Sequence, residues 1–184
     1  MLLGIMVFIG TDRLRVRPIE AADEPRVLGY AGREDYCPYV PIDPGQPETL
    51  SAYVKDQIRP EGLDAGTALA LAIVPGGLTH VVGTIRLTVE PFPVPIGQLD
   101  FTLDPDYRGQ GYMTEALLGV LPSAFRDFGL LRISVLSDVD NLDCHKVLER
   151  IGMRNEKRVA NFRTVKGEKR DAFLYVLDAA APKQ

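Results

Sequence analysis

Between residues 99 and 116 the chain reads Leu-Asp-Phe-Thr-Leu-Asp-Pro-Asp-Tyr-Arg-Gly-Gln-Gly-Tyr-Met-Thr-Glu-Ala. An apolar–polar alternation gives way to a turn with two glycines and then to helix-forming residues. The first N–H groups of a helix have no acceptor within it, and they sit at the positive end of its dipole. Such a turn is therefore a ready phosphate site. Gly109 and Gly111 let the backbone approach a ligand without a Cβ in the way, and Arg108 places a permanent cation beside it. Spacing narrows the chemistry. There is no Gly-x-x-x-x-Gly-Lys-Ser/Thr, and Gly109-Gln110-Gly111-Tyr112-Met113-Thr114 lacks the third glycine of a dinucleotide fingerprint. Taken alone, the two glycines serve equally well as a tight turn and a helix start.

Two other groups can carry chemistry. Gln98, Asp100 and Thr102 fall on one face of a strand and Leu99, Phe101 and Leu103 on the other, since alternate residues point the same way. Asp100 is then either a proton acceptor or an ordinary solvent-facing carboxylate. Downstream, Asn141 opens a helix as a cap, and Cys144 stands three residues later. A thiol with a pKa of about 8.5 can donate a proton, and it is equally acceptable as a small buried residue. His145 is a further titratable type, yet a lone helical histidine usually just packs. Glu115, in the first turn of its helix, is accounted for by the dipole.

Composition bounds the rest. The 184 residues are 46% hydrophobic and 25% charged, as expected of one globular domain spanning 1–184 with a core of about 11–178. A net charge of -4 argues against a broad nucleic-acid surface and suits a cationic amine substrate. Cys37 and Cys144 are unpaired in spacing and read as free thiols. With His80 and His145 they are too few for a structural zinc site, so no metal is expected. Residues 1–10 are apolar but lack a basic n-region and a cleavage site, and Met6 is as sensible a start as Met1. The expectation is a cytoplasmic protein, with no membrane contact, that is a monomer or homodimer.

The elements that must position these groups follow from periodicity and breakers. Residues 13–17 alternate as a strand, and helices are expected over about 21–32 and 47–59. Strands follow at 68–74, 81–89 and 96–103, then a helix over 111–128 with Pro122 inside it. A strand at 131–136, a helix at 143–151, and strands at 153–160 and 172–177 joined around Lys166-Gly167-Glu168 complete the order. That is a mixed α/β (α+β) sheet with helices on both faces.

At this point the chain resembles the GNAT superfamily of acyl-CoA-dependent N-acetyltransferases, and within it the RimJ/RimL-type ribosomal-protein branch. The family motif Arg/Gln-x-x-Gly-x-Gly/Ala is matched by Arg108-Gly109-Gln110-Gly111-Tyr112-Met113 except at Met113. The stretch from Asn141 to Met153 resembles the family's asparagine-started helix. The resemblance covers about 11–178. It implies the GNAT fold, a central sheet of six to seven strands splayed between the fourth and fifth. It implies acetyl-CoA as co-substrate, held by Phe101, Leu103, Arg108, Gly109, Gln110, Gly111, Tyr112, Met113 and Asn141. Direct attack by an amine acceptor would follow, with Asp100 as candidate base and Cys144 as candidate acid. The acceptor is either a protein N-terminal α-amine, or a small amine or antibiotic. Met113 stands in place of the motif's Gly/Ala, and Gln98 where many relatives carry a strand glutamate; on these two departures the same resemblance also admits a GNAT-fold protein that binds acyl-CoA without turnover. Asp35, Asp43 and Glu90 are candidate attractors for a cationic acceptor, and the helix pair with the 36–44 loop is its expected wall.

Overall fold

A computed structural model describes residues 8–36, 38–40, 46–58, 68–89 and 94–179. Eight strands form one sheet in the order β1-β2-β3-β4-β5-β6-β8-β7. They are β1 (Ile9–Gly10), β2 (Leu14–Pro18), β3 (Ala68–Pro75), β4 (Gly83–Val89), β5 (Ile96–Leu103), β6 (Arg132–Asp138), β7 (Arg154–Val165) and β8 (Glu168–Asp178). The helices are α1 (Glu24–Ala31), entered through a 3-10 turn at Ala21–Asp23, α2 (Pro47–Gln57), α3 (Tyr112–Arg126) and α4 (Leu142–Arg150).

Alternation along the central strands builds two cores. Leu71 and Ile73 of β3, Ile85 and Leu87 of β4, and Leu99 of β5 face α3 and α4, meeting Ala116, Leu117, Val120 and Leu148. Ala70 and Ala72 face the other way, under Val27 and Tyr30 of α1 and Val54 of α2. The alanines of β3 give this second helix pair room to approach. α3 continues through Pro122, and the carbonyl left without its donor belongs to Leu118, an exposed residue that water can reach.

Two strand expectations are corrected. The sheet has eight strands rather than six to seven, because β1 adds to β2 through Ile9↔Val16 and Gly10↔Arg15. β1 has room to lie against α3 because residue 119 is glycine: a Cβ there would stand 2.9 Å from Ile9 Cγ2. β7 and β8 are also longer than expected. They close on Lys166 and Gly167, both at positive φ (49° and 83°), as a two-residue hairpin needs.

Every neighbouring pair is antiparallel except β5 and β6, which are parallel and joined only at Ile96↔Arg132, Gly97↔Ile133 and Gln98↔Ser134. Beyond Gln98 and Ser134 the two strands separate. β5 remains paired to β4 as far as Leu103↔Gly83, and β6 to β8 as far as Asp138↔Ala172. This is the expected splay, between the fourth and fifth strands when the short β1 is left out of the numbering. The close end of the V is cramped. Gly97 lies there because Leu130 and Leu87 methyls would come within 2.8 and 2.9 Å of any Cβ.

Candidate active site

β5 is followed by Asp104, whose side chain is buried. Its N–H donates to Val82 O at 2.8 Å. Its carboxylate accepts from the Asp106 N–H at 3.1 Å and pairs with Arg26 and, at 3.9 Å, with Arg33. A 3-10 turn at Pro105–Tyr107 follows, held by His80 Nε2 against the Tyr107 hydroxyl at 3.1 Å. Gly109 and Gly111 then adopt φ of 74° and 79°, the left-handed region that disfavours any Cβ. The first helical bond of α3 runs from Glu115 N–H to Gly111 O at 3.0 Å, so the N–H groups of Tyr112, Met113 and Thr114 precede it without helical acceptors. Gly109, Gln110 and Gly111 are exposed, and Tyr112 is half-buried. Met113 is 5% exposed and points into the α3 core, so the one departure from the motif adds no bulk to the turn.

The structure brings a second arginine to this turn that sequence reasoning missed. Arg13 donates from Nη1 to Gln110 O at 3.0 Å and from Nε to Glu115 Oε2 at 2.7 Å, and its guanidinium lies 4.9 Å from the Tyr112 ring centroid. Glu115 also accepts from Arg13 N–H at 2.9 Å and from the Thr11 hydroxyl at 2.5 Å. Burial works against its charge, but these hydrogen bonds outweigh it and hold the carboxyl below the usual glutamate range. Glu115 therefore does more than answer the helix dipole: it is the clamp that brings Arg13 to the turn. A groove of about 570 Å³ opens beside Arg13, Gly111 and Thr114. Arg108 is differently employed. Its guanidinium donates to Leu103 O at 3.2 and 3.3 Å, to Asp35 O at 3.0 Å and to Tyr36 O. It ties the loop after α1 to the open end of β5.

Asp100 lies in the splayed part of β5, on the α1–α2 side. There β4 and β5 form three cross-strand polar pairs: Thr84↔Thr102, Arg86↔Asp100 and Thr88↔Gln98. The two threonine hydroxyls are 2.9 Å apart. Burial pushes the Asp100 carboxyl up, opposed by the Arg86 and Arg163 guanidinia. Arg86 reaches Asp56 of α2 at 3.3 Å. Among the described residues, the buried atoms Arg86 Nε, Thr88 Oγ1 and Gln57 Oε1 have no hydrogen-bond partner. Phe101 and Leu103 take the opposite face and pack on the α3–α4 core, as alternation requires.

Cys144 stands across the splay in the first turn of α4, half-buried on the α3–α4 side. Asn141 caps that helix, its Oδ1 accepting the Cys144 N–H at 3.2 Å. Asp100 and Cys144 thus flank the splay from opposite faces of the sheet. The turn into α4 is fixed by Arg170, which reaches Asp138 at 2.7 and 2.9 Å and Asp140 at 2.6 Å, and by Tyr39, whose hydroxyl donates to Asp140 O at 3.0 Å. His145 is buried, tilted against Phe173 and stacked on Tyr175, and donates from Nε2 to Asp138 O at 3.0 Å, which makes it a packing residue. Sequence reasoning also passed over Ser137, a buried residue of β6 whose hydroxyl has no partner among the described residues. Asp35 is already paired to Arg33 at 2.8 Å, while Asp43, Glu90 and Cys37 lie outside the described residues. No cluster of three or more metal-ligating side chains occurs among the described residues, nor does any helix there have the length and apolarity to cross a membrane.

The comparisons with known proteins bear on the family and the fold. The model of the acetyltransferase (GNAT) domain matches residues 13–154, so the chain belongs to that family of acyltransferases, whose members transfer acetyl groups from acetyl-CoA to amine acceptors. YnaD of Bacillus subtilis (strain 168), described as an uncharacterized N-acetyltransferase, is 24% identical over 148 residues, covering 80% of this chain and 83% of its own. Two solved structures share the fold. The ribosomal-protein-S5-alanine acetyltransferase from Vibrio fischeri superposes with a TM-score of 0.78 at 21% identity, covering 94% of this chain and 96% of that one. Mycobacterium smegmatis RimJ in complex with CoA-disulfide gives 0.76 at 19% identity, covering 96% and 89%.

Proposed function

We propose that the chain is an acetyl-CoA-dependent N-acetyltransferase in which a primary amine attacks the thioester directly. The observation that carries this reading is the continuity between two features: a parallel strand pair that opens past Gln98 and Ser134, and a phosphate-type turn at the end of the same strand. Coenzyme A is long, anionic at one end and reactive at the other. The turn fits the anionic end, with three N–H groups of α3 lacking helical acceptors, two left-handed glycines and the Arg13 guanidinium together. Free strand edges in the splay offer backbone groups for an amide-containing arm. Gly109, Gln110, Gly111, Tyr112 and Met113 supply the turn, Phe101 and Leu103 the strand edge, and Asn141 the opposite wall. Arg108 acts here by holding Leu103 and the 35–36 backbone in place.

When bound, acetyl-CoA supplies an activated acyl group and a thiolate leaving group. Asp100 takes the proton from the acceptor ammonium, directly or through a water. Burial raises its pKa, which improves it as a base. Cys144 returns a proton to the departing thiolate from the other side of the splay. The polar face around Asp56, Arg86 and Thr88 receives the acceptor. A protein N-terminal α-amine, which carries a carbonyl and an amide N–H next to its ammonium, is the first acceptor to test. Small amines and antibiotics complete the panel. Binding without turnover loses one of its two supports, since Met113 is buried away from the turn. The decisive assay sets thiol release from acetyl-CoA with that panel beside direct CoA binding. Turnover on at least one amine is expected. Binding with no turnover on any amine leaves only a binding protein, and absence of CoA binding overturns both readings.

A further inference from the structure

Asp100 does not sit alone: the charged groups around it set how readily a partly buried carboxylate ionises. We infer that Arg86 is a positioning residue for the acetyl transfer: seated opposite Asp100 on β4 and anchored by Asp56 of α2, it keeps Asp100 ionised within the acceptor face. The inference rests on the reading of Asp100 as the base.

Three geometric facts carry it. Arg86 and Asp100 are direct partners in the β4–β5 ladder, so their side chains leave the sheet side by side on the α1–α2 face. The Arg86 side chain is only 18% exposed, and it reaches Asp56 at 3.3 Å through Nη2 while its buried Nε has no partner among the described residues. Ala70 is the partner of Arg86 on β3, and its small side chain leaves the guanidinium space between sheet and helix. A charge held on one side by Asp56, with a donor to spare, is tethered rather than neutralised.

The charged groups facing Asp100 are Arg86 from β4, Arg163 from β7 and Asp56 from α2. Gln98, on its own strand, is a neutral hydrogen-bond partner. Burial raises the Asp100 pKa, the two arginines lower it, and Asp56 raises it again. Formally the four charges cancel. Asp100 thus has two guanidinium neighbours against one carboxylate, and that balance opposes the effect of burial.

The test is kcat/KM against pH for one amine acceptor at saturating acetyl-CoA, with CoA affinity measured alongside. Base catalysis by ionised Asp100 gives an acidic limb. In Arg86→Gln that limb should move to higher pH by about one unit or more, the effect of losing an opposite charge beside a carboxylate. The loss of rate should be larger on the acidic side than on the alkaline plateau, and the CoA affinity should change by less than about threefold, because Arg86 lies on the α1–α2 face and not at the turn before α3. Arg86→Lys, which keeps the charge, should leave the limb near its original position. Asp56→Asn is the second arm and alters an exposed residue, so it folds even if Arg86→Gln does not; its limb should move to lower pH. A limb set by the amine's own protonation stays fixed in every variant. An unmoved limb in Arg86→Gln, an equal loss at every pH, or an upward shift in Asp56→Asn overturns the inference. Asp100→Asn separates the two levels. If its limb and rate match the parent, the base reading itself has failed; if the limb disappears while Arg86→Gln shifts nothing, only the role of Arg86 has.

Discussion

Asp100 illustrates what a single residue takes from its surroundings. Its face was fixed by alternation, visible in the sequence as Gln98, Asp100 and Thr102 against Leu99, Phe101 and Leu103. Its electrostatics were not visible, because Arg86, Asp56 and Arg163 are brought together only by the strand ladder and the helix above it. Asp100→Asn keeps the shape and removes the proton acceptor. Steady-state kinetics should show turnover reduced by about 10²–10⁴-fold, with CoA affinity unchanged. A rate within threefold of the parent removes Asp100 as the base. Arg13 shows the limit of local reading more sharply. Nothing in the alternating stretch 13–17 marks residue 13 as different from Arg15 or Arg17, and its partner Glu115 is 102 positions away.

At the scale of elements, the strand–turn–helix unit of β5 and α3 was legible almost to the residue. The strand alternates cleanly, and the glycines interrupt it where left-handed backbone is needed. β7 was legible only in part. It is an edge strand whose residues are mostly exposed and polar or charged, so no apolar face announces its length. β1 is two residues long and exists because Gly119 admits it. The clamp between β2 and α3 carries a prediction. Glu115 titrates below its unfolded value, about 4.3. Its contribution to stability is therefore complete above that value and is lost as pH falls through the lower, folded one. Glu115→Gln should remove this part of the acid sensitivity. It should also weaken CoA binding several-fold, since Arg13 loses its anchor beside the turn. Thermal melts from pH 6 to pH 3 and a CoA titration check both, and parallel melting curves for parent and variant contradict the assignment.

For the whole molecule, the order of elements and the placing of helices on both faces follow from the sequence pattern. The splay does not, because where a parallel pair stops pairing depends on contacts such as those at Gly97. It was anticipated only through family resemblance. The open V must be held open at its far end, and Arg170 does this by joining β8 to the turn between β6 and α4. Asp138 there is buried. Desolvation opposes its charge, but Arg170 and the Asp140 N–H hold its carboxyl below the usual range. Arg170→Met leaves that carboxylate buried without its cation. Urea denaturation should show a lower midpoint for the variant, since removing one partner leaves an uncompensated charge. An unchanged midpoint shows that the pair is no strut.

The central claim is that the turn before α3 is a coenzyme A site, and calorimetric titration of coenzyme A into the parent and Gly111→Asp tests it most directly. Residue 111 is left-handed at φ 79°, and a side chain added there starts 3.5 Å from Arg13 Nη2, inside the turn. The account predicts saturable binding to the parent and a loss of at least about 100-fold in the variant, with the far-ultraviolet circular dichroism of a folded chain retained. Equal affinity in the two proteins contradicts it.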